Sequence, residues 1–121
     1  MKIRVAVFAI FAAILLTFPM FVEPVQGQPA PRRIEVVAKR FQFLPSEITL
    51  KKGEPVVLVL KSVDVSHGIR IKELGIDRNV DKGQTGEVVF TPTKTGTFVG
   101  HCSVFCGSGH GGMTLTLHVV D

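Results

Sequence analysis

Cys102-Ser103-Val104-Phe105-Cys106-Gly107-Ser108-Gly109-His110-Gly111-Gly112-Met113 carries most of the information in this chain. It holds both cysteines of the protein and the only methionine outside the first twenty residues. Cys106 lies four residues after Cys102, His110 follows four residues later, and Met113 three residues after that. Thiolate, imidazole and thioether are soft ligands of the kind that select copper over magnesium, calcium or manganese. A glycine-rich loop buries little apolar surface, so this spacing predicts a metal site.

The two cysteines are spaced so that a curled loop can direct both sulfurs at one centre, where two thiolates can bridge two metal ions. His110 and Met113 can complete the coordination from the same loop. One more imidazole is then needed from elsewhere in the chain. His67 is the best candidate, because it follows a polar loop at the start of a predicted strand and can lie at the end of a β-sandwich, where loops gather.

The order Cys-Ser-x-x-Cys-Gly-x-x-His-x-x-Met resembles the binuclear copper (CuA) loop of cytochrome c oxidase subunit II, a loop also found in nitrous oxide reductase. The segment Asp64-Val65-Ser66-His67 is similar to the Asp-Val-x-His pattern of the same family. The resemblance covers residues 34–121, and the cysteine loop is its most specific part. It implies a cupredoxin fold and a centre of two copper ions that passes single electrons.

The resemblance also implies a set of ligands by position. They are five side chains and the backbone carbonyl of the residue that follows the first cysteine by two: His67, Cys102, Val104, Cys106, His110 and Met113. Many family members carry an acidic or amide side chain where this chain has Val104. A carbonyl ligand tolerates that change, whereas any role of the side chain is lost.

Other chemistries could use parts of the same loop. A cysteine pair in a small exported protein commonly forms a disulfide, which Cys102 and Cys106 by themselves would indicate. Zinc could take both cysteines, His110 and either His67 or His101, but it has no use for a thioether. A single copper of the blue type needs only one cysteine. The correctly spaced histidine and methionine favour a copper pair over these alternatives.

The first 27 residues have the features of a targeting segment. Lys2 and Arg4 form a basic start, residues 5–22 are largely apolar, and Val25-Gln26-Gly27 offers small residues at a signal-peptidase site. Residues 5–22 are also just long enough for a single membrane anchor. Cleavage after Gly27 is favoured, and both interpretations place the domain outside the cytoplasm, in the periplasm or anchored to the inner membrane.

The remaining chain divides into a Pro-rich tether at residues 28–33 and one domain at residues 34–121. Residues 1–27 contain two basic residues and one acidic residue, so their removal lowers the net charge from +4 to +3. This weak positive charge, without a dense cluster of lysine and arginine, argues against nucleic acid as a partner.

The domain shows the two-residue period of β-strands. Ile34, Val36 and Ala38 alternate with more polar positions. Phe41 and Phe43 are expected to share one face, and the change of phase after Ala38 predicts a bulge near Lys39-Arg40. A hairpin is expected to turn at Lys51–Glu54, between a strand containing Ile48 and Leu50 and a strand at Pro55–Leu60 that is buried on both faces.

Further strands are predicted at residues 85–91 and 97–102 and around Leu115, Leu117 and Val119, whereas residues 72–81 have no clear period. Short strands separated by frequent turn signals predict an antiparallel β-sandwich of about seven or eight strands. The resemblance makes this an all-β, cupredoxin-like Greek-key fold.

Three further polar residues lie outside the ligand set that the resemblance implies. Asp64 can hydrogen-bond nearby backbone and hold the loop of His67, although an ordinary turn aspartate would look the same. His101 precedes Cys102 and should point to the opposite side of its strand, so it is not predicted to be a ligand. His118 alternates with inward-facing residues, faces solvent and is given no role.

One-electron transfer is the predicted function, with a redox protein such as a c-type cytochrome, or a membrane oxidase core, as partner. The chain has no tryptophan and no tyrosine, so the aromatic electron entry of oxidase subunits cannot be assigned to any position. The alternative function is a periplasmic copper carrier for oxidase assembly. By itself the domain would catalyse no reaction, and no nucleophile motif or open zinc triad indicates hydrolysis.

Overall fold

The computed structural model describes residues 19–23, 27 and 30–121. The described chain contains nine strands and two short 3₁₀ helices, at Lys72–Leu74 and His110–Gly112. The strands are β1 (Arg32–Lys39), β2 (Gln42–Leu44), β3 (Glu47–Lys51), β4 (Val56–Ser62), β5 (His67–Ile71), β6 (Ile76–Val80), β7 (Thr85–Phe90), β8 (Gly96–His101) and β9 (Thr114–Val120).

The strands form two sheets that pack face to face. One sheet has four strands in the order β2-β1-β4-β7, and the other has five in the order β3-β9-β8-β5-β6. The apolar set of each strand faces the other sheet, as the two-residue period predicts, and both sheets contribute to a single core. Its largest fully buried side chains include Phe43, Leu50, Leu58, Leu60, Ile69, Ile71, Leu115 and Leu117. Burying an aliphatic side chain of this size stabilises the fold by about 1.5–3 kcal/mol.

The predicted all-β sandwich is confirmed, but its sheets are mixed rather than antiparallel. β1 pairs parallel with β4, and β3 pairs parallel with β9, whereas the other pairs are antiparallel. The chain passes from β2 in one sheet to β3 in the other and back to β4, so strands that are distant in sequence become neighbours. The period of a strand shows which side chains are buried but not the direction of its partner.

The hairpin predicted at Lys51–Glu54 is wrong. β3 and β4 lie in different sheets, so this turn carries the chain from one sheet to the other. Gly53 has a φ of 80°, which a residue with a side chain rarely adopts. The neighbouring prediction is confirmed: β4 is buried along nearly its whole length because it lies inside its sheet and under the core.

The segment at residues 72–81, predicted as a connection, contains the edge strand β6. Ile76 and Val80 are buried, but Asp77, Arg78 and Asn79 between them are all exposed. Arg78 faces inward by register, yet it lies at the open edge of the sandwich beside Gly86 of the other sheet. This edge strand lacks the regular alternation of apolar and polar residues by which a strand is predicted from sequence.

Phe41 and Phe43 do not share a face. β1 and β2 form an antiparallel hairpin whose two-residue turn is Arg40 and Phe41, where a bulge was expected. Phe43 is completely buried, whereas Phe41 is 37% exposed and lies outside the core. The turn points away from the hairpin towards the cysteine loop, which makes it part of the site described below.

The targeting or anchor segment predicted at residues 1–27 lies almost entirely outside the described residues. Within the part of the chain that the structure describes, no helix is both long enough and apolar enough to cross a membrane.

Candidate metal centre

Three connections meet at one end of the sandwich. They are the β1–β2 turn, residues 63–66 between β4 and β5, and residues 102–113 between β8 and β9. Backbone hydrogen bonds join them: Val63 N–H donates to the Ala38 carbonyl over 3.2 Å, and Ser103 N–H donates to the Gly68 carbonyl over 3.3 Å. The six predicted ligand residues all lie on the second and third connections or at the strand ends beside them.

The first group of donors surrounds the sulfur of Cys102, and we call it the Cys102 half. His67 is completely buried, and its Nδ1 lies 3.9 Å from Cys102 Sγ. The backbone carbonyl oxygen of Val104 lies 3.2 Å from the same sulfur, which donates its thiol proton to it. This half therefore combines one sulfur, one imidazole nitrogen and one carbonyl oxygen.

The second group surrounds the sulfur of Cys106, and we call it the Cys106 half. His110 Nδ1 lies 3.7 Å from Cys106 Sγ, and Met113 Sδ lies 3.8 Å from it. Met113 is completely buried, whereas His110 is half-buried at the rim. This half combines one sulfur, one imidazole nitrogen and one thioether sulfur.

The two halves adjoin each other. The ligand atoms of His67, Cys102 and Cys106 all lie within 4.8 Å of one another, and both cysteines are free thiols. Each half supplies one sulfur, one imidazole nitrogen and one weaker donor. The residues present therefore fit copper, since soft sulfur and imidazole donors are those that copper prefers.

Asp64 orients His67. Its Oδ1 lies 2.7 Å from His67 Nε2 and accepts from Val65 N–H, and its Oδ2 accepts from Arg40 N–H over 2.8 Å. Partial burial alone would raise the pKa of this carboxyl, but the hydrogen bonds from Arg40, His67 and Val65 lower it to about 2. An ionised carboxylate only accepts, so Nε2 carries the ring proton and Nδ1 presents its lone pair to the Cys102 half.

The environment of Cys106 keeps its thiol protonated in the metal-free protein. Burial raises its pKa to about 11, and the neighbouring Cys102 adds to the shift. A buried thiolate without a cation is costly, so metal binding has to displace the proton. The pair is therefore poised for a metal ion rather than for thiolate chemistry in its absence.

The four glycines around His110 serve two different purposes. A Cβ atom on Gly107 or Gly109 would come within 2.8 Å or 2.5 Å of the ring of Phe41, and Gly107 also has a φ of 139°. A Cβ atom on Gly111 or Gly112 would meet nothing within 4 Å. The first two glycines are required by packing, whereas the last two leave the His110 edge uncovered.

The site residues predicted from sequence do not include Arg40, Phe41 or Phe105. Arg40 Nε donates to the Cys106 carbonyl over 2.8 Å, and Phe41 covers the loop glycines. Phe105 is 78% exposed, and its ring centroid lies 5.6 Å from that of His110. Only Phe105 could have been found from sequence, because an aromatic side chain between two candidate ligands has no core to enter.

The two remaining histidines lie apart from these donors. His101 is exposed at the end of β8. His118 lies on the outer side of β9, where it contacts Thr97 and Glu47.

A comparison with family models agrees with the fold described above. A model described as a cupredoxin-like domain matches residues 6–115. The chain belongs to this cupredoxin-like family. The mixed two-sheet sandwich is therefore a cupredoxin-like fold, and it supports copper as the metal for the cluster of His67, Cys102 and Cys106.

Solved structures similar to this cupredoxin include proteins of copper biochemistry. The periplasmic domain of subunit II of cytochrome oxidase from Bradyrhizobium japonicum has a TM-score of 0.69 and 21% identity, covering 74% of this chain and 84% of that chain. A chain of a heme-copper terminal oxidase dimer has a TM-score of 0.67 and 28% identity, covering 82% and 74%. The metal-binding domain of the Cu(I)-exporting P-type ATPase of Streptococcus pneumoniae D39, solved with Cu(I), has a TM-score of 0.63 and 21% identity, covering 78% and 90%.

The cupredoxin fold and the cluster of one histidine and two cysteines together support copper electron transfer resembling that of oxidase subunit II. The fold provides the two facing sheets, and the loops at one end bring the donors together.

Proposed function

We propose that this cupredoxin transfers single electrons at a binuclear copper centre of the CuA type. The observation that carries the proposal is the division of the donors into the Cys102 half and the Cys106 half, each with its own imidazole and its own weak axial donor. The proposed ligands are His67, Cys102, Val104 through its carbonyl, Cys106, His110 and Met113. The domain would act as an electron carrier, at most the subunit II component of an oxidase, and would catalyse no reaction alone.

The residues of the site suit electron transfer for a physical reason. When bound, a pair of thiolate-bridged copper ions supplies a centre that accepts and returns one electron. Because the sulfurs of Cys102 and Cys106 lie close together, a change of charge at the centre would be spread over both halves of the donor set. The buried His67 and Met113 keep water out, and the strands on either side hold the loops in place. A site that rearranges little when its charge changes transfers electrons quickly.

Copper content and the visible spectrum test the proposal. We expect the copper-loaded domain to hold two copper ions per chain and to show the purple colour of a mixed-valence pair. The measurement is metal analysis against protein concentration together with the absorption spectrum. Domain whose thiols have been blocked beforehand is the control and should bind neither ion. One copper per chain, or a disulfide between Cys102 and Cys106 that persists under reducing conditions with copper, would contradict the proposal.

A periplasmic copper carrier is the second candidate function. It is favoured by the absence of tryptophan and tyrosine, since the usual aromatic entry for electrons is missing. The burial of His67, Cys102, Cys106 and Met113 opposes it, because a carrier has to release its metal. Loss of copper to a chelator distinguishes the two functions: a carrier gives up copper within minutes, whereas a permanent centre retains it.

We propose the His110 edge as the place where electrons cross. His110 is half-buried, Gly111 and Gly112 are exposed beside it, and the exposed Phe105 ring flanks it. The partner would be a redox protein such as a c-type cytochrome or a membrane oxidase core. The weak positive charge of the domain suits a partner that is not strongly basic.

Substitution of Gly111 by leucine should slow electron exchange without loss of copper. A Cβ atom there meets nothing within 4 Å, so the fold tolerates the side chain, which instead covers the His110 edge. The measurement is stopped-flow electron exchange with a c-type cytochrome that is not strongly basic, at two salt concentrations. Gly83→Leu is not a fair control because Gly83 has a φ of 76°, so Val89→Leu, on an exposed outer position, is used instead. An unchanged rate in a copper-replete Gly111→Leu protein would show that electrons cross elsewhere.

The proposed location is outside the cytoplasm, with residues 1–27 as a signal peptide or a single anchor. Similar periplasmic domains of oxidase subunit II support this location. We expect the mature chain to begin at Gln28, because Val25-Gln26-Gly27 follows an apolar stretch. Intact-mass analysis of protein from the cell envelope checks it. A mass that includes residues 1–27 would indicate an anchored protein and would strengthen the case for an oxidase subunit.

A further inference from the structure

The turn formed by Arg40 and Phe41 has no part in the proposed ligand set, yet it contacts both loops of the metal centre. The backbone N–H of Arg40 donates to Asp64 Oδ2 over 2.8 Å, and the guanidinium Nε donates to the Cys106 carbonyl over 2.8 Å. One residue therefore makes a charge-assisted hydrogen bond to each loop. Bonds of this kind are stronger than those between neutral groups.

The next residue of the turn adds a packing contact. The ring of Phe41 lies so close to Gly107 and Gly109 that a Cβ atom on either would come within 2.8 Å or 2.5 Å of ring atoms. The ring remains 37% exposed, so it contributes little to the core. Its main contact is with the loop that carries Cys106 and His110.

These contacts act on opposite halves of the centre. Asp64 hydrogen-bonds His67 over 2.7 Å, so the bond from the Arg40 backbone reaches the Cys102 half. The bond to the Cys106 carbonyl and the packing on Gly107 and Gly109 reach the Cys106 half. The two loops are separated by some forty residues of sequence, and the turn belongs to the other sheet from β5, β8 and β9.

We propose that Arg40 and Phe41 form a clamp that sets the position of the Cys106 half relative to the Cys102 half before metal binds. They are positioning residues: neither supplies a donor atom. The inference rests on the proposed metal centre for its purpose, but the clamp itself is a property of the metal-free chain. A site preformed to a fraction of an ångström binds its metal without reordering loops and keeps its geometry when its charge changes.

The guanidinium also brings charge to the centre. Among the described residues, every ion pair involves other side chains, and none joins a carboxylate to Arg40. Its positive charge lies beside Cys106 and stabilises added negative charge there. Reduction adds one negative charge to the centre, so removal of this cation should lower the reduction potential.

The experiment compares amide hydrogen exchange in the metal-free protein for Arg40→Gln, Phe41→Ala and the parent. We expect exchange of residues 103–112 to become about tenfold faster in both variants, equivalent to about 1.4 kcal/mol of local stability. Exchange in β4 and β9 should stay the same, because neither variant removes a core residue. Arg33→Gln is the matched control, since Arg33 lies on β1, the strand that precedes the turn, and its partner is the exposed Glu87.

Copper-loaded protein separates positioning from general support. Arg40→Gln should lower the reduction potential and broaden the visible band, whereas Arg40→Lys should keep the potential of the parent but not the slow loop exchange. Phe41→Leu should restore part of the protection lost in Phe41→Ala. If Phe41→Ala does not fold, Arg40→Gln and Phe41→Leu decide the result, because both leave the core untouched.

Loop exchange within twofold of the parent in Arg40→Gln and in the folded Phe41 variant would overturn the clamp. Faster exchange that extends equally into β4 and β9 would also overturn it, since that outcome means general destabilisation. The exchange measurement needs no metal. A protein that binds one copper with a protected loop would therefore contradict the proposed function and leave the clamp in place.

Discussion

Cys102→Ser should leave the protein folded and abolish the binuclear centre, with copper content falling to one ion per chain or fewer. The sulfur of Cys102 contacts both His67 Nδ1 and the Val104 carbonyl, so every donor of the Cys102 half depends on it. A serine hydroxyl remains protonated at neutral pH and cannot bridge two copper ions as a thiolate does. The measurement is metal analysis together with the visible spectrum, in which the mixed-valence band should disappear.

Ser103→Ala is the matched control for this substitution. Ser103 adjoins Cys102, but its hydroxyl donates to Asn79 on the outer side of the sheet, away from the donors. The control should bind two copper ions with an unchanged spectrum, and circular dichroism should show the same β-sheet content in both variants. Two copper ions in Cys102→Ser would mean that this sulfur does not bridge them.

Asp64→Asn should weaken copper binding about 10- to 100-fold, the range typical for loss of a group that orients a metal ligand. The two oxygens of Asp64 accept from His67 Nε2 and from the N–H groups of Arg40 and Val65. Asparagine has one oxygen, so one of these N–H groups would face an NH2 group instead. The negative charge that fixes the His67 tautomer is lost as well. Competition with a copper chelator at neutral pH measures the affinity.

Asp77→Asn is the control for this variant, because Asp77 pairs with Arg70 on an exposed surface and touches no donor.

In the metal-free protein, the lowered pKa of Asp64 also predicts a pH dependence. The folded pKa of about 2 lies below the ordinary aspartate pKa of 3.8, so the stability that ionised Asp64 adds is present above about pH 4. The difference in unfolding free energy between parent and Asp64→Asn should shrink as the pH falls towards 2. A constant difference over this range would show that the charge of Asp64 does not stabilise the fold.

Much of the site was accessible from the sequence because its donors are close together in the chain. Four of the six candidate residues lie between Cys102 and His110, and Met113 follows within the same loop. Soft donor side chains at short intervals in one loop indicate a metal site by their spacing alone. The structure brings all six together, and their role as ligands stays a prediction that metal analysis can check. His67 was found from its place after a polar loop at the start of a predicted strand and from the Asp-Val-x-His pattern around it.

The clamp could not be predicted in the same way. At Arg40 and Phe41 the two-residue period of the strand shifts, which was interpreted as a bulge. Nothing in the local sequence indicates that these residues contact a loop more than sixty residues later. Their importance comes from hydrogen bonds and packing between different sheets. Such contacts depend on the arrangement of strands and leave no periodic pattern.

The β class, the burial of β4 and the donor spacing of the cysteine loop could be predicted from the sequence alone, because a two-residue period and a run of soft donors are local properties. Three features appear only once the chain is folded: β1 pairs parallel with β4, β3 lies in the other sheet, and Asp64 and Arg40 connect the two halves of the centre. The pairing of strands and the contacts of the clamp depend on interactions between segments that are distant in the sequence. They are set by which strands can bury their apolar faces together, and no single segment encodes that choice.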